Sequence, residues 1–287
     1  MNKILVICLN PVIQKVIVFN QFELNEVNRA KESHWCASGK GVNTCRVLNH
    51  LGCNQYILFT QNNGQHSHWF TEMCKQDQIN LHSLPIGGIR FCTTVLSNGN
   101  ATELVEEGIP IEGDQTEMIM NEFNQIIKTN PIEYVIFIGS TAPGISTSLY
   151  KEMASCCNHQ NIKVIADIRG EPLKEMITQN PYIIKPNENE FIQTFGSFDK
   201  AIELSQKGIN VIITRGNKST YFYQNGQKFE IPIHSVDHVL NPIGCGDSFT
   251  AGLVNSLINN NALQQAIQDG HKAAAQNLQT LLPGSLV

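Results

Sequence analysis

The sequence has no long apolar run. None of its segments approaches the roughly 18 apolar residues that a membrane-spanning helix needs, and the run Lys3–Leu9 is too short for the hydrophobic part of a secretory signal. We therefore expect a cytoplasmic protein that makes no contact with membranes. Charge is also scarce: Asp, Glu, Lys and Arg make up 16% of the 287 residues, and the net charge is −5. Nucleic-acid surfaces need clustered cations, so no nucleic-acid partner is expected.

Cysteine pairs with the spacing of metal or redox motifs are also missing. The chain has nine cysteines, an odd number, and no two of them are spaced as C-x-x-C. Cys156 and Cys157 are adjacent, which is poor geometry for a mutual disulfide. These spacings argue against zinc and redox functions and predict reduced, mostly buried thiols.

Short apolar runs alternate with helical patterns along most of the chain, whose length suits one large α/β domain or two small ones. The predicted strands are Lys3–Leu9, Gln55–Phe59, Tyr134–Ile138, Lys163–Ala166, Tyr182–Ile184 and Val211–Thr214. The predicted helices are Lys40–Leu51, Ser67–Lys75, Glu117–Ile127, Ser148–Cys157, Ser248–Ile258 and Ala262–Leu278. This alternation predicts an α/β fold with a mostly parallel sheet covered on both faces.

Two segments, Val12–Phe19 and Arg90–Leu104, break this alternation. Both have β patterns without a helix between the strands, and the second contains a turn at Asn98-Gly99-Asn100. Such segments can pair as a small second sheet, and we expect this sheet to be a lid over the main one. No linker or repeat interrupts the chain, so we predict a single domain, 1–287, with lid strands from about 11–36 and 86–108.

The sharpest chemical signal is Gly244-Cys245-Gly246-Asp247, directly before a predicted helix. The glycines permit tight turns, and free N–H groups at a helix start can bind an anion. A carboxylate beside a bound anion repels it, so its presence there suggests a chemical role, for example as a general base that accepts a proton from a hydroxyl group. A simple helix cap explains the same four residues equally well. The chain contains no Walker A loop, and Phe249 stands where a dinucleotide fingerprint needs its third glycine.

Two more segments place polar side chains at predicted helix starts. Lys40 opposes the helix dipole, which makes sense if it meets an anionic ligand, although alone it is an ordinary exposed lysine. Asn187 and Glu190 share a helical face, and oxygen ligands of this kind suit Mg²⁺, usually through water. The same pair also fits a capping arrangement, and both interpretations can hold together.

Ligand contacts are also expected at a strand end and at the lid. The segment Gly139–Gly144, which contains Ser140, follows a predicted strand, where open α/β sheets bind ligands. Arg90 begins a lid strand and can fork onto a substrate phosphate, although a single arginine is usually a surface charge.

Together and in this order, the segments resemble the ribokinase-like (phosphofructokinase B) carbohydrate kinases, and within them the branch of 1-phosphofructokinase and tagatose-6-phosphate kinase. The resemblance covers essentially the whole chain. It implies a three-layer α/β/α domain with a small β lid, dependence on ATP and Mg²⁺, a phosphosugar substrate and a homodimer formed through the lid. It rests on Asn10-Pro11, Gly39-Lys40-Gly41-x-Asn43, Gly139-Ser140-x-x-Pro143-Gly144, Lys185-Pro186-Asn187-x-x-Glu190 and Asn241-Pro242-x-Gly244-x-Gly246-Asp247-Ser248.

The resemblance also implies roles for individual residues. Asp247 would be the base that activates the sugar hydroxyl, and Asn187 and Glu190 would organise Mg²⁺ and its waters. The N–H groups that would form an anion hole for the transferring phosphoryl group belong to Gly244, Cys245 and Gly246. The nucleotide-binding residues would be Lys185, Thr214, Gly216 and Asn277. The substrate-binding residues would be Gln14, Gly39, Lys40, Asn43, Arg90, Arg29 and Ser140.

The sequence departs from the family pattern at three places. Gln14 stands where an acidic residue usually bonds sugar hydroxyls, and it carries no charge, a departure that bears on the substrate more than on the fold. Ser38 stands where glycine is usual, and Thr214-Arg215-Gly216 replaces a more apolar triplet.

The leading hypothesis is a kinase for a ketohexose phosphate of the fructose 1-phosphate or tagatose 6-phosphate type, because two cations, Lys40 and Arg90, suit a phosphate dianion. A fructose-6-phosphate kinase of the same branch is the alternative. A non-catalytic binder of sugar phosphate or nucleotide is favoured only by Gln14, and a binder has no use for Asp247. An unrelated α/β protein that matches by chance would lack the lid.

Overall fold

The computed structural model describes residues 3–233, 236 and 239–287. Its strands are β1 (Ile4–Cys8), β2 (Val12–Phe19), β3 (Glu32–Ser38), β4 (Tyr56–Gln61), β5 (Leu81–Leu84), β6 (Arg90–Ser97), β7 (Asn100–Val105), β8 (Tyr134–Ile138), β9 (Lys163–Asp167), β10 (Ile183–Ile184), β11 (Asn210–Arg215), β12 (Lys218–Gln224) and β13 (Gln227–Ile231). Its α-helices are α1 (Lys40–His50), α2 (Ser67–Gln76), α3 (Gly113–Thr129), α4 (Leu149–His159), α5 (Gly170–Met176), α6 (Glu188–Phe195), α7 (Asp199–Gln206), α8 (Cys245–Ile258) and α9 (Leu263–Asn277).

The main sheet has the strand order β13-β12-β11-β10-β9-β8-β1-β4-β5. All neighbours from β11 to β5 pair in parallel, and the hairpin strands β12 and β13 add an antiparallel edge. Strands β1 and β8 are apolar and buried throughout because helices cover both faces of a parallel sheet. The predicted α/β fold with a mostly parallel sheet is confirmed.

Two hydrophobic cores lie on opposite faces of the main sheet. One contains side chains from α3 to α7, such as Phe123, Met153 and Phe191. The other contains side chains from α1, α2, α8 and α9, such as Val42, Phe70 and Leu253. Within the described residues, no helix combines the length and the apolar character needed to cross a membrane.

The predicted small second sheet is also present. Its strand order is β3-β2-β6-β7, so the two segments that broke the helical rhythm, β2 and β6, pair in parallel at its centre. Asn98 and Gly99 both have positive φ, of 50° and 76°, and form the predicted turn between β6 and β7. We call this four-stranded unit the lid sheet.

Several elements were not predicted. Helices α5, α6 and α7 have only seven or eight residues each, too few to show a clear helical period, and of α6 only the first turn at Asn187 and Glu190 was expected. Strand β13 is mostly exposed and carries little apolar signal. Its hairpin with β12 did have a sequence signal, Asn225-Gly226, whose positive φ values of 51° and 79° are those of a two-residue hairpin turn.

Candidate active site

The carboxyl ends of the parallel strands open into a cavity of about 870 Å³, a volume typical of small-molecule sites. It lies where the strand order reverses, between β4 on one side of β1 and β8 on the other. The predicted site residues that line it are Gln14, Gly39, Lys40, Asn43, Arg90, Ser140, Asn187, Glu190, Gly244, Cys245, Gly246 and Asp247. The fold therefore gathers segments that are far apart in the sequence around one space.

One wall of the cavity is the start of α8. The helix begins at Cys245, about one turn before the predicted Ser248, so the glycine-rich segment is itself the first helical turn. Its N-cap Gly244 has φ 87°, and a Cβ there would lie 2.5 Å from the backbone nitrogen of Gly284. The first N–H groups of a helix have no intrahelical partner, so this turn can bind an anion.

Asp247, in the same first turn, is only 5% exposed. The amide nitrogen Nδ2 of Asn43 donates to its Oδ2 at 2.8 Å. Burial raises the pKa of Asp247 to about 7, and nearby Asp167 adds to the rise, whereas Lys40, the Asn43 hydrogen bond and Lys185 oppose it. A carboxyl with a pKa near 7 can exchange a proton at neutral pH, as a general base must.

A second buried carboxyl, Asp167, ends β9 and was not predicted as a site residue. Its Oδ2 accepts hydrogen bonds from Lys185 Nζ at 3.0 Å and Thr250 Oγ1 at 2.8 Å, and Lys40 Nζ lies 3.9 Å from Oδ1. Burial alone would raise the pKa of Asp167, but the two lysines and the Thr250 hydroxyl lower it. The sequence does contain an indication of this role, because Asp167 directly follows a predicted apolar strand, as the segment that contains Ser140 does.

The two departures near the lid, Gln14 and Ser38, bond to each other. Gln14 is 3% exposed; its Oε1 accepts from Ser38 Oγ at 2.7 Å, and its Nε2 donates to Thr94 Oγ1 at 2.6 Å. Ser38 Oγ also lies 3.0 Å from Asn43 Oδ1. Ser38, which replaces the usual glycine, is thus hydrogen-bonded to Gln14, which replaces the usual acidic residue. Through Ser38 and Asn43, a chain of polar contacts connects the lid sheet to Asp247.

Arg90 and Ser140 lie on other walls of the cavity. Arg90 Nη1 donates to the carbonyl of Glu106 at 2.7 Å, whereas its buried Nε has no hydrogen-bond partner among the described residues. Because a guanidinium only donates, an acceptor atom of a ligand would satisfy this group. Ser140 Oγ accepts from Asn10 Nδ2 at 3.0 Å.

With this geometry in place, the comparisons decide the family. The sequence matches the model of the pfkB family carbohydrate kinases over residues 8–285. The chain belongs to this family. It is therefore a carbohydrate kinase, a phosphotransferase whose acceptor is a hydroxyl group.

The relatives of this pfkB-family kinase agree in sequence and in fold. The chain is 29% identical over 268 residues to tagatose-6-phosphate kinase of Staphylococcus epidermidis, covering 89% of this chain and 85% of that protein. The tetrameric inhibited form of phosphofructokinase-2 from Escherichia coli superposes with a TM-score of 0.86 at 18% identity, covering 97% and 95% of the two chains. A possible 1-phosphofructokinase from Thermotoga maritima gives a TM-score of 0.86 at 16% identity, covering 100% and 94%. The ribokinase-like fold predicted from the motifs is confirmed.

Kinases of this family are ATP-dependent, which implies ATP and typically Mg²⁺. Asn187 and Glu190 form a capping box at the start of α6: Asn187 Oδ1 accepts from Glu190 N–H at 2.8 Å, and Glu190 Oε2 accepts from Asn187 N–H at 3.0 Å. Glu190 lines the cavity, and its Oε1 lies 3.9 Å from Lys40 Nζ. In the part of the chain that the structure describes, no group of three or more His, Cys, Asp or Glu could hold a metal. This donor set fits a hydrated Mg²⁺ better than a cage of protein ligands.

Two predicted nucleotide-binding residues lie behind the cavity wall. Lys185 is 3% exposed and is paired with Asp167. Asn277 is fully buried, and its Oδ1 accepts from Ser248 Oγ at 3.1 Å and Gly284 N–H at 2.7 Å, while its Nδ2 donates to the carbonyl of Ile243 at 2.9 Å. Through these hydrogen bonds, Asn277 holds the segment that leads into α8 in place from the side away from the cavity.

Three other predicted residues do not line the cavity. Thr214 and Gly216 lie at the end of β11, where Thr214 forms a β-bridge with Asn187, the candidate metal residue. Arg29 is exposed in the loop between β2 and β3. The nucleotide role of Thr214 and Gly216 and the substrate role of Arg29 stay predictions.

Proposed function

We propose that this pfkB-family protein is a cytoplasmic ATP- and Mg²⁺-dependent kinase that phosphorylates a hydroxyl of a ketohexose phosphate, of the fructose 1-phosphate or tagatose 6-phosphate type, with Asp247 as the general base. One observation carries the proposal: a buried carboxyl with a pKa of about 7 lies in the first turn of a helix whose N–H groups can bind an anion. A proton acceptor and an anion site side by side are what phosphoryl transfer to a hydroxyl needs.

In this reaction, Asp247 accepts the proton of the sugar hydroxyl while the hydroxyl oxygen forms a bond to the γ-phosphorus of ATP. The bond from that phosphorus to the bridging oxygen breaks, and ADP leaves. The N–H groups of Gly244, Cys245 and Gly246 stabilise the charge on the transferring group. Asn187 and Glu190 would hold Mg²⁺ through water, and the ion would neutralise negative charge on the nucleotide phosphates.

The preference for an already phosphorylated sugar rests on Lys40 and Arg90. Lys40 has its ammonium group 3.9 Å from each of two carboxylates, outside direct hydrogen-bond distance, and its side chain is 43% exposed. Arg90 contributes the buried Nε that lacks a partner within the described residues. Two cations with unused donors in one cavity suit a phosphate dianion better than a neutral sugar.

The test is a panel of ketohexose phosphates and free ketohexoses with ATP and Mg²⁺, in which ADP release is measured for the wild type and for Asp247→Asn. We expect turnover on a ketohexose phosphate and almost none in the variant. Turnover on fructose 6-phosphate alone would support the alternative kinase of the same branch. Binding of a sugar phosphate by calorimetry without turnover on any sugar would contradict the proposed activity and support a non-catalytic binder.

We further propose a homodimer through the lid sheet. Its edge strand β7 exposes Leu104 and Val105 by 59% and 55%, and Trp35 on the other edge strand, β3, is 42% exposed. Unpaired strand edges that carry apolar side chains invite pairing with a second copy. Sedimentation equilibrium should give a dimer that Leu104→Lys weakens, and a monomer at micromolar concentration would contradict this assembly.

A further inference from the structure

Helix α1 carries a buried cation that no sequence motif indicated. Arg46 is 3% exposed, and all of its donors are engaged. Nη1 donates to Asn43 Oδ1 at 3.3 Å and to the carbonyl of Pro283 at 2.9 Å. Nη2 donates to the carbonyl of Ala37, and Nε and Nη2 donate to Asp77 Oδ2 at 2.9 and 2.7 Å. The guanidinium is therefore held firmly by four partners, one of which is a neighbour of the candidate base.

These contacts determine how the Asn43 side-chain amide is oriented. A guanidinium can only donate, so the amide must present its oxygen to Arg46. Its nitrogen then faces Asp247 and donates to Oδ2 at 2.8 Å. In the reversed orientation, the amide N–H groups of Asn43 would face the N–H groups of Arg46, and the amide oxygen would face the carboxylate of Asp247, so both hydrogen bonds would be lost. We propose that Arg46 is a positioning residue that holds the Asn43 amide in the one orientation that donates to Asp247.

This orientation has a consequence for proton exchange. An amide that could reverse would accept from the protonated carboxyl and donate to the carboxylate, and so would stabilise both forms. The held amide stabilises only the carboxylate, so Arg46 lowers the pKa of Asp247 and opposes the effect of burial. The other charged or titratable groups around Asp247 are Lys40, Lys185, Asp167, Cys8 and Cys245. Those around Arg46 are Asp77, Cys36, Cys45, Cys74 and His50.

Ser38 provides the contrast, because its hydroxyl also lies 3.0 Å from Asn43 Oδ1. A hydroxyl can donate or accept by rotating, and a second acceptor, Gln14 Oε1, lies 2.7 Å away. Ser38 can therefore follow either orientation of the amide and does not determine it.

The experiment compares Arg46→Gln/Asp77→Asn with the wild type. The double substitution removes both charges of the buried pair, so it leaves no uncompensated charge and adds no net field. The protonation of Asp247 is followed by ¹³C NMR of its Cγ, assigned by its absence in Asp247→Asn. We expect the midpoint to rise by about one unit in the double variant relative to the wild type, the size of one hydrogen bond. In Ser38→Ala the midpoint should stay within about 0.3 unit of the wild type.

An unchanged midpoint in a folded double variant would overturn the inference, and so would a loss of activity at all pH values without a shift of the midpoint. The kinetic readout rests on the proposed function: the acid limb of kcat/KM should move with the NMR midpoint. A shifted NMR midpoint in a protein without kinase turnover would sustain the role of Arg46 and contradict the proposed function instead.

A measurement on the wild type covers the case in which the double variant does not fold. The Asn43 side-chain amide protons should keep their through-space contacts to Asp247 on both sides of its midpoint. Contacts that change from Asp247 to Ser38 as Asp247 becomes protonated would show that the amide reverses, and would overturn the inference.

Discussion

Asp167 and Asp247 are both buried at the carboxyl edge of the main sheet, with exposures of 2% and 5%, yet their pKa values shift in opposite directions. Asp167 receives hydrogen bonds from Lys185 and Thr250 and has Lys40 nearby, so its pKa is lowered. Asp247 receives a side-chain hydrogen bond from Asn43, and burial raises its pKa to about 7. The difference shows that the partners, rather than the depth of burial, decide which carboxyl holds a permanent charge and which can exchange a proton.

The largest expected effect is a loss of catalytic rate when the carboxyl group of Asp247 is removed. Asp247→Asn should lower kcat by about 10³-fold, because a positioned base contributes roughly that factor. Steady-state kinetics on the sugar phosphate that the panel selects would measure it, with Asp114→Asn as a control because Asp114 is exposed on α3. A loss of less than tenfold would mean that Asp247 is not the proton acceptor.

Removing the carboxylate of Asp167, which pairs with Lys185, should destabilise the folded protein. Asp167→Asn leaves the ammonium group of Lys185, 3% exposed, without its carboxylate, and we expect the free energy of unfolding to fall by about 3 kcal/mol. Urea unfolding would measure the change. The double variant Asp167→Asn/Lys185→Met should recover part of the loss because no unpaired charge remains, and a double variant less stable than the single one would contradict this explanation.

Asp247→Asn should have the opposite effect on stability, and only at higher pH. The folded pKa of about 7 lies above the ordinary aspartate value of 3.8, so between these two pH values the unfolded chain releases a proton that the folded protein keeps. The wild type therefore loses stability as pH rises from about 4 to 7. The variant lacks this loss and should be more stable by about 4 kcal/mol at pH 8 and nearly equal to the wild type near pH 4. An equal stability difference at both pH values would contradict the raised pKa.

The smallest effect concerns the neutral neighbour of the site. Gln14→Glu would add a carboxylate to the polar chain that reaches Asp247 through Ser38 and Asn43. Like-charge repulsion should move the acid limb of kcat/KM up by about half a unit. The pH profile of Gln14→Met, which removes the amide without adding charge, should keep the wild-type limb, and an equal shift in both variants would argue against a charge effect.

Much of the fold followed from patterns that are local in the chain. Strands such as Tyr134–Ile138 were predicted with their observed bounds because a buried parallel strand is apolar at every position. The β pattern of Val12–Phe19 also survived unchanged. Helix α8 was placed a turn too late because Cys245 and Gly246 have poor helix propensity, and the packing of Gly244 against Gly284 decides its start.

The candidate site was predictable where its residues stand beside glycines or at helix starts, as Lys40 and Asn187 do. Asp167 and Arg46 have no such local marker. Arg46 looks like any polar residue of an amphipathic helix until Asp77 and the carbonyl of Pro283 approach it. The nucleotide role of Asn277 stays a prediction; the tertiary structure adds that its amide supports the segment before α8 from behind the cavity wall.

The sequence by itself determined the alternation of strands and helices, the second sheet and the glycine-rich helix start that carries Asp247, because backbone propensity and burial pattern act over a few neighbouring residues. Only the tertiary structure decided the protonation of the two carboxyls. Asp167 and Asp247 are ordinary acids in the chain, and what separates them is donors that arrive from distant segments, two lysines for one and a single amide, held by Arg46, for the other.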